Sequence, residues 1–193
     1  MKLVILDYGV GNIKSIQFAF DRLGVTAVLS SDAEEIKAAD KIIFPGVGEA
    51  SSAMKKLREA GLEDVITKLN QPVLGICLGM QLMCRKLEEG NTNGLGIFDV
   101  AVKRFSTSVK VPQMGWNTIA NLKSKLFEDI SDKEYMYLVH SYYVEENENT
   151  IATTDYEFPY ASSIQKNNFY GVQFHPEKSG KSGERVLQNF LNL

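Results

Sequence analysis

Two cysteines and two histidines are the whole stock of thiol and imidazole in these 193 residues, and one of each sits where it could do chemistry. Cys77 lies between Gly75 and Gly79 in PVLGICLGMQLM, where an apolar strand runs into a helical pattern. A nucleophile on so sharp a strand-to-helix turn needs small neighbours, because the backbone doubles back on itself there. The positive end of the helix that follows favours a thiolate, and Leu78 to Gln81 contain no carboxylate to oppose it. The amide of Leu78 would face an oxyanion formed at a carbonyl under attack. Taken alone, the G-x-C-x-G pattern is met more often by a small buried thiol than by a nucleophile. Cys84 lacks glycine neighbours, is expected on the helix beyond, and reads as core.

A thiol hydrolase needs a base. His175 follows an apolar strand in YGVQFHPEKSG, with Pro176 restraining the turn and Glu177 able to reach back to the imidazole. A carboxylate so placed fixes the tautomer and stabilises the imidazolium, which is the role of the third member of a triad. His140, in LVHSYYV, has no carboxylate nearby until Glu145 and reads as structural or pocket-lining. A second oxyanion donor is available in FPGVG, residues 44 to 48, where Gly46 and Gly48 would let the backbone present an amide, that of Val47.

These groups need a scaffold that brings them together, and the hydrophobic pattern describes one. KLVILDY, VTAVLS, KIIFPGVG and PVLGI are short apolar strands. Helical patterns alternate with them, over Ile13 to Leu23, Ala50 to Glu59, Leu62 to Leu69 and LGMQLMCRKLEE, with Gly24 stopping the first. Repeated strand–helix units imply an α/β fold with an open, mostly parallel sheet flanked by helices. The C-terminal half adds antiparallel strands: GIFDVAVKRFS, GWNTIAN, YMYLVHSYYVE, TIATTDY, and a hairpin turning near Asn167 and Asn168. A helix from Gly183 to Asn192 closes the chain, with Ser179 or Ser182 expected to cap it. Residues 1–193 are expected to form one domain, with no repeat or long linker.

Composition narrows the function classes. Apolar residues at 44% and charged residues at 23% are ordinary for a soluble globular protein. A net charge of −3 offers no basic field to nucleic acid or anionic lipid, so small-molecule or protein partners are favoured. No apolar run reaches membrane-spanning or signal-peptide length. Cys77 and Cys84, seven residues apart on one expected helix, would be separated by roughly 10 Å, too far for a disulfide. No CxxC pair and too few histidines leave no zinc cluster, and a cytoplasmic setting follows. DYGVGNIK lacks the third glycine of a dinucleotide fingerprint, where Lys14 stands. GKS at 180 to 182 has His175 where a P-loop needs a glycine.

PGVG, GICLGMQ, HSY and FHPE, in this order across nearly the whole chain, together resemble the class I (triad) glutamine amidotransferases. That family hydrolyses glutamine to glutamate and ammonia through a γ-glutamyl thioester. Within it, DYGVGN, KVPQMGWN and HPEKSGKSG are most similar to the glutaminase subunits of imidazole glycerol phosphate synthases. The resemblance implies Cys77 as nucleophile, His175 as general base and acid, and Glu177 as its orienter. It implies that Gln81 binds substrate glutamine by its side-chain amide, and that backbone around Gly46, Gly48, Ser141 and Tyr142 holds the amino-acid end. It implies no metal and no cofactor. It further implies a heterodimer with a barrel-shaped cyclase. That partner receives ammonia through a channel and forms imidazole glycerol phosphate and aminoimidazole carboxamide ribotide. Asn12, Met114 and Trp116 of PQMGWN, and Lys181 are the partner-facing candidates. The chain departs from the family after PGVG, where Glu49-Ala50 stands in place of the common Ala-Phe. Readings left open are a glutaminase of another pathway, a thiol hydrolase of other amides, and a non-catalytic binding module that kept the elbow. The glycines of PGVG suggest that its peptide reorients to present the Val47 amide.

Overall fold

Continuous apolar runs with no polar alternation demand burial on both faces of a sheet, and the first strands meet that demand by parallel pairing. In a computed structural model describing residues 1–193, β1 (Leu3–Leu6) lies between β2 (Ala27–Ser30) and β3 (Lys41–Phe44), and β4 (Val73–Ile76) pairs with β3. All four are parallel. Helices α1 (Ile13–Arg22), α2 (Ala33–Lys37), α3 (Ala50–Glu59) and α4 (Glu63–Thr67) make the crossovers. Alternate residues of each strand serve opposite layers. Val4, Leu6, Ile42 and Phe44 pack with Met54 and Leu57 of α3, whereas Leu3, Ile5 and Ile43 pack with Ile16 and Phe20 of α1. Each such side chain, fully removed from water, contributes about 1.5–3 kcal/mol before entropy is counted.

The remaining elements in chain order are α5 (Leu78–Leu82), β5 (Cys84–Leu87), β6 (Thr92–Asn93), β7 (Phe98–Arg104), β8 (Gln113–Ile119), β9 (Glu134–His140), β10 (Tyr142–Val144), β11 (Thr150–Asp155), β12 (Pro159–Lys166), β13 (Phe169–Val172) and α6 (Gly180–Asn192). The main sheet runs β2-β1-β3-β4-β13-β12-β10-β7-β5-β6, with β11 paired to β12. The hairpin β12–β13 turns at Asn167, whose φ of 54° is the left-handed conformation asparagine tolerates. β13 continues the parallel half beside β4, with Val172 opposite Ile76. The expected open α/β sheet with added antiparallel strands is therefore the fold observed. β8 and β9 form a separate two-stranded ribbon. No helix is long and apolar enough to cross a membrane.

Three expectations are corrected. LGMQLMCRKLEE is not one helix: α5 stops at Leu82, and Cys84–Leu87 is a strand paired with both β6 and β7. Cys84 is nonetheless core, fully buried, as expected of it. YMYLVHSYYVE is not one strand; Ser141 breaks it, sending β9 to the ribbon and β10 to the main sheet. The last helix begins at Gly180 rather than Gly183, and neither serine caps it by its side chain. The Ser179 hydroxyl instead donates to the His175 carbonyl at 2.6 Å and accepts from the Tyr137 amide at 2.9 Å.

Candidate active site

Cys77 is the residue at which β4 becomes α5. Its amide still bonds to the Val172 carbonyl, at 2.8 Å, in the manner of the parallel ladder, while its carbonyl already accepts from Gln81. To serve both, its backbone takes φ 54° and ψ −113°, on the left-handed side where an L-residue is strained. The flanking glycines are sterically required. A Cβ on Gly79 would overlap the Phe44 carbonyl oxygen, and one on Gly46 would come within 2.5 Å of the Gly79 amide nitrogen. The PGVG loop therefore seats directly on the first turn of α5. Tyr8, buried in the first βα turn, fastens it further by donating its hydroxyl to the Pro45 carbonyl at 2.6 Å. Glu49 answers the departure from the family pattern. Its carboxylate accepts from the amides of Ser51 and Ser52 and caps α3. Helix α5 is little more than one turn, so it offers free amides rather than a long aligned dipole.

His175 lies just beyond β13, the strand beside β4, and of three hydrogen bonds at its turn two tie it to the ribbon and one closes the turn on itself. Its amide bonds to the Tyr137 carbonyl at 2.9 Å, and Ser179 makes the other two. Its Nδ1 lies 2.8 Å from Glu177 Oε1, and both side chains are buried. Burial opposes charging the ring, but contact with Cys77 and Glu177 outweighs it and raises the His175 pKa to about 10. No well-aligned hydrogen bond joins Nε2 to the sulfur. The thiol instead faces the Val139 carbonyl of β9 at 3.8 Å. His140 is lining and structure together: Nδ1 lies 2.7 Å from the Tyr142 carbonyl and Nε2 3.1 Å from the Tyr160 hydroxyl. Burial, with His175 adding to it, lowers its pKa to about 4 and keeps it neutral.

A cavity of about 350 Å³ opens onto the sulfur. Val47, Gly48, Cys77, Leu78, Gln81, Ser141, Tyr142 and His175 line it, so the structure gathers these residues into one pocket. Gly46 and Glu177 border a smaller void behind the imidazole, together with Asn12. Glu89 and Lys178 also line the main pocket and were not anticipated. Glu89 reaches it because the chain leaves the helix at Leu82, and its carboxylate accepts from the Ala50 amide at 2.9 Å. Burial raises the pKa of Glu89. A larger groove, about 430 Å³, runs between Lys37 and Gln71 and brings no nucleophile to a base. No group of three or more potential metal ligands forms.

The partner-facing candidates are exposed. Met114 and Trp116 are 64% and 55% accessible on β8, beside Tyr135 at 57% on β9, and Lys181 is exposed on the first turn of α6. Trp116 packs edge-on against Tyr137, whose ring also faces the Lys178 ammonium.

Comparison with known proteins places the chain in a family. A model of the family "Glutamine amidotransferase class-I" matches residues 4–193. The chain is 57% identical over 196 residues, covering all of both, to a Bacteroides fragilis protein named imidazole glycerol phosphate synthase subunit HisH. It is 47% identical to a protein of that name from Haemophilus influenzae, over 99% of this chain and 97% of the relative. Among solved structures, a crystal structure of a glutamine amidotransferase superposes with a TM-score of 0.77 at 18% identity, covering 98% of this chain and 97% of that one. PurLQS from Thermotoga maritima gives 0.71 at 16%, covering 99% and 97%. At such identities the structures speak for the fold alone. The family match covers residues 4–193, nearly the whole chain, and on that ground the chain belongs to the class-I glutamine amidotransferase family.

Proposed function

We propose that this chain is the glutaminase subunit of an imidazole glycerol phosphate synthase, acting as one unit over residues 1–193 in the cytoplasm. The observation that carries the chemistry is a cysteine on a strained elbow, sharing a pocket with a buried His–Glu pair whose nitrogen and oxygen are 2.8 Å apart. The full-length identity to proteins named HisH carries the choice of pathway.

Cys77 is the nucleophile. His175 takes its proton, and the thiolate attacks the carboxamide carbon of glutamine. The amides of Leu78 and Val47 stabilise the oxyanion, the latter after the Gly46–Val47 peptide turns toward the pocket. His175, held by Glu177, then protonates the departing ammonia, and water resolves the thioester. Gln81, with the backbone of Gly46, Gly48, Ser141 and Tyr142, holds the substrate. Glu89 supplies a carboxylate for its α-ammonium. The pocket needs no metal or organic cofactor for these steps. The ammonia passes to a cyclase with a barrel fold, which docks on a surface including Asn12, Met114, Trp116 and Lys181. An exposed tryptophan beside exposed Met114 and Tyr135 is the kind of anchor that dominates such interfaces.

The test is glutamine hydrolysis by the purified chain, with and without the co-purified cyclase. Turnover should rise with that cyclase and with no other ammonia acceptor, and Cys77→Ala should abolish it while the complex still forms. Ammonia release retained in Cys77→Ala rejects the thiol mechanism. Stimulation by a different acceptor system assigns the chain to another pathway.

A further inference from the structure

One side chain touches the nucleophile's sulfur and has no part in the steps above. Gln173, between β13 and His175, is fully buried, and its Nε2 lies 3.7 Å from Cys77 Sγ. Its Oε1 lies 2.8 Å from Gln81 Nε2, and the same Gln81 nitrogen lies 3.2 Å from the Tyr142 carbonyl oxygen.

The two ends of an amide have the same shape, so their directions follow from the partners. The Tyr142 carbonyl can only accept, so Gln81 must turn its NH2 toward it. That NH2 also faces Gln173, so Gln173 must offer its oxygen there. Its own NH2 is then left facing the sulfur. The carbonyl that fixes the direction is itself held, because it also lies 2.7 Å from Nδ1 of His140. A neutral His140 makes that bond by donating from Nδ1. The chain of donors thus runs one way, from Gln173 to sulfur and from Gln81 to Gln173. Both hydrogens of the Gln81 amide are used, and its oxygen is the end free to accept from a ligand in the pocket.

We propose that Gln173 is a further catalytic residue: its Nε2–H donates to the Cys77 sulfur and stabilises the negative charge there once His175 holds the proton, while its oxygen fixes Gln81 with the acceptor end toward substrate. The inference rests on Cys77 being the nucleophile. An N–H donor aimed at an anion is worth more than one aimed at a neutral thiol, so it favours ionisation of the sulfur and departure of sulfur from the thioester.

The experiment is alkylation of Cys77 by iodoacetamide across pH in the full chain, read by peptide mass, with Gln173→Glu and Gln173→Met beside the wild type. Glutamate keeps the shape but puts an acceptor where the donor was. Alkylation at pH 7 should slow about tenfold, with the profile's midpoint moved up by about one unit. Methionine should move it the same way by less. A purely structural role would lower thermal stability and leave the profile of the methionine variant where it was, which overturns the proposal, because a carboxylate beside the sulfur moves the glutamate variant's profile by its charge alone. If the methionine variant does not fold, the Gln173 side-chain amide resonance of the wild type decides. It must shift as the sulfur titrates and must not shift over that range in Cys77→Ala; a stationary resonance overturns the proposal. An unchanged methionine-variant profile with an inactive Cys77→Ala defeats this inference alone. An active Cys77→Ala defeats the thiol mechanism beneath it.

Discussion

Replacing Cys77 by glycine should leave a more stable protein than replacing it by alanine, the reverse of the usual order. Position 77 has φ 54° and ψ −113°. That ψ lies well outside the left-handed well, near ψ of +30° to +60°, which non-glycine residues can occupy. Strain of this kind costs about 1–3 kcal/mol, and the distance in ψ argues for the upper end. Alanine keeps the strain and glycine releases it. Against the release stand glycine's greater backbone freedom, about 0.5–1 kcal/mol, and one lost buried carbon, at most about 0.8 kcal/mol. The balance favours glycine by about 1 kcal/mol, which in a chain of this size is about 2–4 °C in Tm. Both variants lack the sulfur, so both should be inactive and their difference isolates the backbone. Thermal and urea unfolding of the pair under identical conditions measures it. Alanine as stable as glycine, or more so, would refute the claim that the nucleophile is held against a backbone preference.

Other perturbations probe the surroundings. Gly79→Ala drives a Cβ into the backbone carbonyl of Phe44, which cannot give way as a side chain could, and should cost at least about 3 kcal/mol in urea unfolding. Glu177→Gln should lower the His175 pKa, followed by imidazole NMR, and reduce kcat by at least about a hundredfold. Because the folded pKa of His175 is raised, the stability it contributes is full below its unfolded value of about 6.5 and disappears as pH rises toward about 10. In Glu177→Gln that loss should be complete at lower pH. Gly48→Val should impair turnover more than glutamine binding, measured as kcat against affinity. Gly48 has open space for a side chain but a φ of 87° that a β-branched residue resists, and equal losses in both would count against a moving PGVG peptide that presents the Val47 amide.

Much of this was legible because the signals were local. KLVIL, KIIF and PVLGI state their burial on both faces by composition alone, and the proline and carboxylate after His175 announce a built turn. The helix read through LGMQLMCRKLEE failed because Cys84 and Leu87 are buried while Arg85 between them is exposed, a three-residue spacing that reads as helical. Pairing with β7, through Cys84 opposite Phe98, decided it, and no local signal carries that partner. Glu89 was hidden by the same error, since at the end of a long helix it would have had no path to the pocket. Ser179 looked like a cap, but its hydroxyl serves His175 and Tyr137 instead. The ribbon β8–β9 was read as strands but not as a sheet apart, because sheet membership depends on the break at Ser141. Gln173 gave no signal, for in an apolar strand its amide shows its direction only once Tyr142 and Gln81 stand beside it.

The seating of Gly46 on Gly79 divides the pocket into a wall closed to larger side chains and a variable one. On the side of the PGVG loop and α5, backbone touches backbone, so any enlargement at position 46 or 79 collapses the fold before it can alter what the pocket accepts. On the other side, Glu89, Ser141 and Tyr142 reach the pocket from a 3-10 turn, a strand break and a short strand. Directed evolution toward a different amide should therefore leave the first wall untouched and draw its substitutions from the second.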